Sequence, residues 1–137
     1  MATFVLAIDQ GTTGSTVALV DTRGRLRASV NNEFPQIYPK PGWVEHQPEE
    51  IWASVLEGIR EISEQGHCKP KDIAAIGITN QRETTALWDR QSGKPLYNAI
   101  VWQCRRTTDT CEEMKRQGLE PAIKRKTGLV LDPYSSA

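Results

Sequence analysis

Phe4-Val5-Leu6-Ala7-Ile8-Asp9-Gln10-Gly11-Thr12-Thr13-Gly14-Ser15-Thr16-Val17-Ala18-Leu19-Val20 is the stretch that decides the fold of this 137-residue chain. Its first five residues are continuously apolar and stop at Asp9, the pattern of a strand buried on both faces. A Gly-containing turn separates them from a second run at 16–20. After Asp21-Thr22-Arg23-Gly24 the alternation of Leu26, Ala28 and Val30 gives a third, so the reading is an antiparallel meander of three strands with 4–8 at its centre.

Working outward, the Pro- and Gly-rich segment 35–42 forbids regular structure. Pro48 then stands where a first helical residue should. Glu49 and Glu50 favour the positive end of the helix dipole, and Ile51, Trp52, Val55, Leu56, Ile59 and Ile62 recur at helical spacing until Gly66. Ile73–Thr79 is again apolar and β-branched, and a helix followed by such a strand predicts a parallel crossover. The class is therefore α/β with a mixed sheet. Runs at 84–89 and 96–102 flank an Arg-Gln-Ser-Gly turn and predict a second hairpin. Segments 107–117 and 121–126 each run up to a glycine, Gly118 and Gly128, and read as short helices.

Composition narrows the function classes. One domain is expected at this length. Seventeen basic residues balance 17 acidic ones, and the 38% hydrophobic and 25% charged fractions are ordinary for a soluble globular protein. Neither nucleic acid nor a membrane is suggested as a partner. The apolar run 4–8 is too short for a leader or a membrane helix, which reads as cytoplasmic. Cys68, Cys104 and Cys111 have no paired spacing, and His46 and His67 lie far apart, so neither a disulfide framework nor a zinc site is expected. Lys124-Arg125-Lys126 reads as a solvated helix face, Arg105-Arg106 as a surface pair, and Trp43 and Trp52 as packing residues.

The turn between the first two strands carries the first sign of chemistry. Glycines at Gly11 and Gly14 let backbone amides crowd a ligand, Thr12 and Thr13 bring hydroxyls, and Asp9 can hold a hydrated Mg²⁺. Those residues alone fit an ordinary hairpin with a capping Asp equally well. There is no GxxxxGK[ST], since Trp88 stands where its first Gly would and Pro95 follows Gly93-Lys94, and no GxGxxG. An Asp-X-Gly-Thr-Thr turn in a meander resembles the first phosphate motif of the actin, heat-shock ATPase and sugar-kinase superfamily. That resemblance implies a ribonuclease H-like, actin-like ATPase sheet with flanking helices, here incomplete, and ATP with Mg²⁺ at Asp9, Gly11, Thr12, Thr13 and Gly14.

Three blocks are more specific: Tyr38-Pro39-Lys40-Pro41-Gly42-Trp43-Val44-Glu45-His46, Ile76-Gly77-Ile78-Thr79-Asn80-Gln81-Arg82-Glu83-Thr84-Thr85 and Asn98-Ala99-Ile100-Val101-Trp102-Gln103-Cys104-Arg105-Arg106. Together with Thr127-Gly128-Leu129 and Asp132-Pro133-Tyr134 they resemble the glycerol kinases of the FGGY carbohydrate-kinase family. The resemblance implies that Arg82 and Glu83 hold substrate hydroxyls, that Trp102 lines the carbon backbone and that Tyr134 bonds a hydroxyl. A guanidinium beside a carboxylate gives a small triol both donors and acceptors while pairing two buried charges. Without the family, Arg82-Glu83 would read as a solvated ion pair and Trp102 as core.

The implied activity is phosphoryl transfer from MgATP to glycerol by a homo-oligomeric full-length protein. Residues 1–137 correspond to the N-terminal part of the first carbohydrate-kinase domain. The general-base Asp and the C-terminal, adenosine-binding domain lie further along a longer chain, so the 137 residues alone are expected to be inactive. Three positions depart from the family pattern: Gly14 where Ser is common, Thr16 where Arg is common, and Ser135 where an aromatic is common. The other readings are a non-catalytic binding or regulatory half-module and a metal-dependent nuclease. The latter lacks further carboxylates on Ile73–Thr79 and a basic face.

Overall fold

The computed structural model describes residues 3–66 and 68–135 and divides into two compact units, Met1–Pro35 with Gln47–Gln81, and Gln36–His46 with Arg82–Ala137. His67, part of the metal reading above, lies outside the described residues.

The first unit holds the expected meander, β1 (Phe4–Gln10), β2 (Gly14–Asp21) and β3 (Leu26–Glu33), and a four-stranded sheet ordered β3-β2-β1 followed by the later strand Ile73–Thr79. Neighbours within the meander are antiparallel, whereas Ile73–Thr79 pairs parallel with β1, Ile8 opposite Ile78 and Asp9 opposite Thr79. The mixed sheet is as expected.

One face of it is covered by α1 (Pro48–Gln65), whose amphipathic pattern sets Val55 and Ile62 into a core with Leu6, Ile8, Val17, Leu19 and Val30. Close approach is possible because Gly58 carries no side chain: a Cβ there would lie 2.6 Å from Val17 Cγ2. The expectation that β1 is buried on both faces is corrected. Leu6 and Ile8 are buried toward α1, but Val5, on the opposite face, is 38% exposed. A continuous apolar run signals apolar surface on both sides of a strand without saying what covers each.

In the second unit a two-residue strand, β4 (Glu45–His46), pairs antiparallel with another, which we number β6 (Ala99–Ile100) after β5 (Ile73–Thr79). The hairpin predicted over 84–102 is present only as isolated bridges, Trp88 with Pro95 and Thr85 with Ile100, around a turn in which Gly93 N–H donates to Asp89 O at 2.8 Å. Ile100 and Ala99 pair with β4 as well, so a ladder continuous over 96–102 gives way to a three-segment arrangement. The helices α2 (Thr108–Arg116) and α3 (Glu120–Thr127) follow, with Gly118 (φ 73°) and Gly128 (φ 76°) in the left-handed conformation just beyond them. As expected, Lys124-Arg125-Lys126 is exposed. Trp52, read as a packing residue, is 62% exposed on α1.

Candidate functional site

The phosphate turn belongs to the first unit. β1 and β2 run in register up to Gln10 opposite Ser15, and Gly11 N–H closes the loop on Gly14 O at 2.9 Å. Asp9 is exposed near the end of β1, Thr13 is exposed, and Gly11 and Thr12 are half-buried. The loop is anchored from several sides. Gln10 Nε2 donates to Gly11 O at 2.7 Å, and Phe34 N–H to Thr13 O at 3.3 Å. Immediately after it the fully buried Ser15 accepts from Ser54 of α1 at 2.8 Å.

Neither glycine of the loop has a positive φ, so their role is close approach. A Cβ on Gly14 would sit 2.8 Å from Asn32 O of β3, and one on Gly11 would sit 3.0 Å from Gly14 O. The crowding anticipated between backbone and ligand is thus, at Gly14, crowding between two strands. Thr16 donates its hydroxyl hydrogen to Asn31 Oδ1 at 3.0 Å, a neutral contact. An exposed carboxylate beside a loop of amides and hydroxyls fits a magnesium nucleotide, because Mg²⁺ keeps most of its waters and takes one or two carboxylates plus phosphate oxygens.

The four polyol candidates all fall in the second unit. Arg82 (φ 61°) and Glu83 (φ 54°) are consecutive left-handed residues, and among the described residues they are the non-glycines with positive φ. Thr84 N–H donates to Arg82 O at 2.6 Å, the hydrogen-bond pattern of a γ-turn centred on Glu83. Side chains with a Cβ pay about 1–2 kcal/mol each for this conformation, and such strain concentrates at ligand sites. The turn is held at its far end, where Thr85 and Ile100 exchange backbone hydrogen bonds of 2.9 and 2.8 Å and Thr84 Oγ1 accepts from Trp102 N–H at 3.3 Å. Trp102 meets Tyr134 edge-to-face, ring centroids 5.4 Å apart and planes 71° to each other. Direct contacts therefore tie the Arg82–Glu83 turn to Trp102, and Trp102 to Tyr134.

One expectation is corrected here: Arg82 and Glu83 are both exposed, so they do not form a buried charge pair. A cavity of about 190 Å³ in this unit is lined by Thr85, Val101, Cys104, Arg106 and Pro133 among others, and by none of the four candidates.

Residues 4–137 match the N-terminal domain of the FGGY family of carbohydrate kinases. The chain belongs to that family. A glycerol kinase of Caldanaerobacter subterraneus is 58% identical over 136 residues, 99% of this chain and 27% of that protein. Among solved structures, Plasmodium falciparum glycerol kinase with ADP superposes with a TM-score of 0.88 at 37% identity, over 98% of this chain and 27% of that one. A gluconate kinase from Lactobacillus acidophilus gives 0.87 at 29% identity over 96% and 26%. The chain thus spans about a quarter of the length of the relatives it matches. Its mixed sheet and covering helix are part of the actin-like ATPase fold of these sugar kinases.

Within this FGGY chain the structure adds a polar cluster that sequence reasoning missed. Glu45 of β4 is 1% exposed and accepts three hydrogen bonds, from Arg106 Nη2 at 2.6 Å, Asn98 Nδ2 at 2.9 Å and Tyr97 OH at 3.1 Å. Burial alone would raise its carboxyl pKa, but the bonds from Asn98, Arg106 and Tyr97 outweigh burial and hold it below the usual range. Arg106, read as a surface residue, is largely buried. Its guanidinium stacks 3.9 Å from the Trp43 ring centroid and donates to Cys104 Sγ at 3.0 Å. Burial lifts the Cys104 thiol, and the Arg106 hydrogen bond with the amides nearby brings it below its ordinary value. Next to Glu45, His46 is wholly buried and hydrogen-bonds Gln36 Oε1 through Nε2 at 2.6 Å; burial depresses its pKa. The only hint in the sequence was an acid and a histidine beside apolar Trp43-Val44, where a strand of two residues is too short for periodicity to register.

Proposed function

We propose that the protein carrying this chain phosphorylates glycerol with MgATP to give sn-glycerol 3-phosphate in glycerol catabolism. The observation that carries the reading is the contact chain of the second unit, in which two strained left-handed residues, Arg82 and Glu83, lead through Thr84 to Trp102 and its edge contact with Tyr134. Arg82 donates to glycerol hydroxyls and Glu83 accepts from them. The Trp102 face packs on the carbon backbone, and Tyr134 adds a hydroxyl contact. Glycerol kinases at 55–58% identity, spanning nearly the whole chain, support glycerol over other polyols.

The Gly11-Thr12-Thr13 loop of the first unit holds nucleotide phosphates through amides and hydroxyls, with Gly14 as its tight exit, and Asp9 orients hydrated Mg²⁺. When bound there, magnesium would supply neutralisation of charge on the phosphates. In the transfer, the terminal hydroxyl oxygen of glycerol bonds to the γ-phosphorus as the bond to the β,γ-bridging oxygen breaks, and ADP leaves. The hydroxyl proton passes to an Asp outside these 137 residues. Phosphoryl transfer is mainly a matter of position and charge, so holding both hydroxyls and phosphates is the contribution of this part. We place the protein in the cytoplasm as a homo-oligomer.

The test is direct. Intact protein incubated with glycerol and MgATP should form glycerol 3-phosphate, Arg82→Ala should lose glycerol saturation, and the 137-residue chain alone should yield none. No product from the intact protein would refute the assignment, whereas turnover by the isolated chain would refute only its expected inactivity.

A further inference from the structure

We propose that the Arg105–Asp132 ion pair is a latch that seats Tyr134 against Trp102, making Arg105 a positioning residue for the polyol wall; this rests on the reading that the wall receives glycerol. Tyr134 lies beyond the last helix, in a segment without regular structure among the described residues, and is 45% exposed, so its own packing fixes it weakly. What fixes it is Asp132. Its Oδ1 accepts the Tyr134 backbone N–H at 2.9 Å and also Arg105 Nη1 at 2.9 Å, while Oδ2 accepts Arg105 Nη2 at 3.4 Å. Ser135 N–H closes the same turn on Asp132 O at 3.1 Å.

Arg105 is a firm anchor because its backbone is held on both sides. Its N–H donates to Gly42 O at 2.7 Å, and its carbonyl accepts Thr108 N–H at 3.1 Å and Thr108 Oγ1 at 2.7 Å. Gly42 belongs to a turn in which Trp43 N–H donates to Lys40 O at 3.0 Å, with Pro41 second and Gly42 (φ 77°) third, the composition and conformation of a type II turn. Contacts thus run from the Pro41-Gly42 turn through Arg105 and Asp132 to the tyrosine that meets Trp102. Neither Arg105 nor Asp132 belongs to the wall itself. The pair is half exposed, at 53% and 34%, and exposed pairs add little to stability. Its two-pronged geometry matters for where Tyr134 is placed.

Steady-state kinetics on the intact protein separate this from an ordinary surface pair. Arg105→Ala should raise the glycerol KM about 3- to 10-fold, the scale of one weakened hydroxyl contact. Its kcat and ATP KM should stay within about two-fold, and its thermal midpoint should move by no more than a few degrees. Arg105→Lys should recover part of the loss, because an ammonium cannot span both carboxylate oxygens. Asp132→Asn should match Arg105→Ala, and the double variant should be no worse than either. An unchanged glycerol KM, a parallel rise in the ATP KM, or additive losses would overturn the latch. Fluorotyrosine NMR reads the same contact without turnover: the Tyr134 resonance should shift toward that of a solvated ring in Arg105→Ala, and an unmoved resonance overturns the proposal. If the wild type makes no glycerol 3-phosphate, the functional assignment fails, and the NMR result alone decides the latch.

Discussion

Removing the Glu45 carboxylate should unfasten the second unit from within. In Glu45→Ala the guanidinium of Arg106, whose side chain is 14% exposed, loses its buried counter-charge, and the Tyr97 hydroxyl and Asn98 amide lose their acceptor. Breaking a buried pair by deleting one partner costs about 3–5 kcal/mol. Arg106 keeps its contacts with Cys104 and the Trp43 ring, so the lower end applies, about 3 kcal/mol and roughly a 10 °C fall in melting temperature for a chain of this size. Glu45→Gln should cost less, about 1–2 kcal/mol, since a turned Asn98 amide can restore every hydrogen bond and only the charge is lost. The pH dependence gives a second, independent reading. The folded carboxyl of Glu45 lies below the 4.5 of the free side chain, so its stabilisation is complete above that value and disappears as pH falls through the folded pKa. His46, also depressed, contributes stability that is complete above 6.5 and declines as pH drops from there toward its folded value. Thermal melts followed by circular dichroism from pH 8 to 3 should therefore show two losses in the wild type, and Glu45→Gln should blunt the more acidic one. A Glu45→Ala melt within a degree or two of wild type at pH 7, or an acid limb identical in Glu45→Gln, would refute the reasoning.

Other substitutions probe the remaining links. Gly58→Ala adds a methyl 2.6 Å from Val17 Cγ2; the helix-propensity gain of about 1 kcal/mol is outweighed by about 1–3 kcal/mol of overpacking, because Val17 is stiff and fully buried. Urea denaturation should show net destabilisation, and a stabilised variant would mean that α1 can lift from the sheet at no cost. Glu83→Gly relieves about 1–2 kcal/mol of left-handed strain against about 0.4–1 kcal/mol from a looser unfolded chain, so stability should hold or rise while glycerol binding by calorimetry is lost. A clear drop in stability would show that the turn is not strained. Gly42→Ala should cost about 1–2 kcal/mol from its φ of 77° alone, since the new Cβ would meet Arg105 Cβ at an ordinary 3.7 Å; a much larger loss in a chemical melt would contradict that.

Which parts of this architecture could be read from residues alone follows from the range of the interactions that create them. The meander, β5 and the three helices are written in local periodicity and in glycine and proline placement, so Pro48 and Gly128 mark real boundaries. The phosphate turn was legible as a turn. The reason for its second glycine was not, because that reason is an oxygen of Asn32 on β3, eighteen positions away. Pairing of Glu45–His46 with Ala99–Ile100 spans more than fifty residues and involves two on each side, too few for alternation to show.

The arginines at 105 and 106 make the same point about side chains. Adjacent and identical, they looked like one surface pair, yet Arg106 meets a buried carboxylate and the Trp43 ring while Arg105 stays half exposed on Asp132. Charge in a sequence gives the amount available, and the fold decides whether each charge meets water or a partner. The same holds for Arg82 and Glu83. Nothing in two charged residues announces a positive φ, since the local preference is against it, and the hydrogen bonds around Thr84 and Thr85 help to hold them there. A local conformation disfavoured by its own residues and held by its neighbours is where a site departs from sequence propensity, and here it coincides with the two residues we propose for substrate hydroxyls.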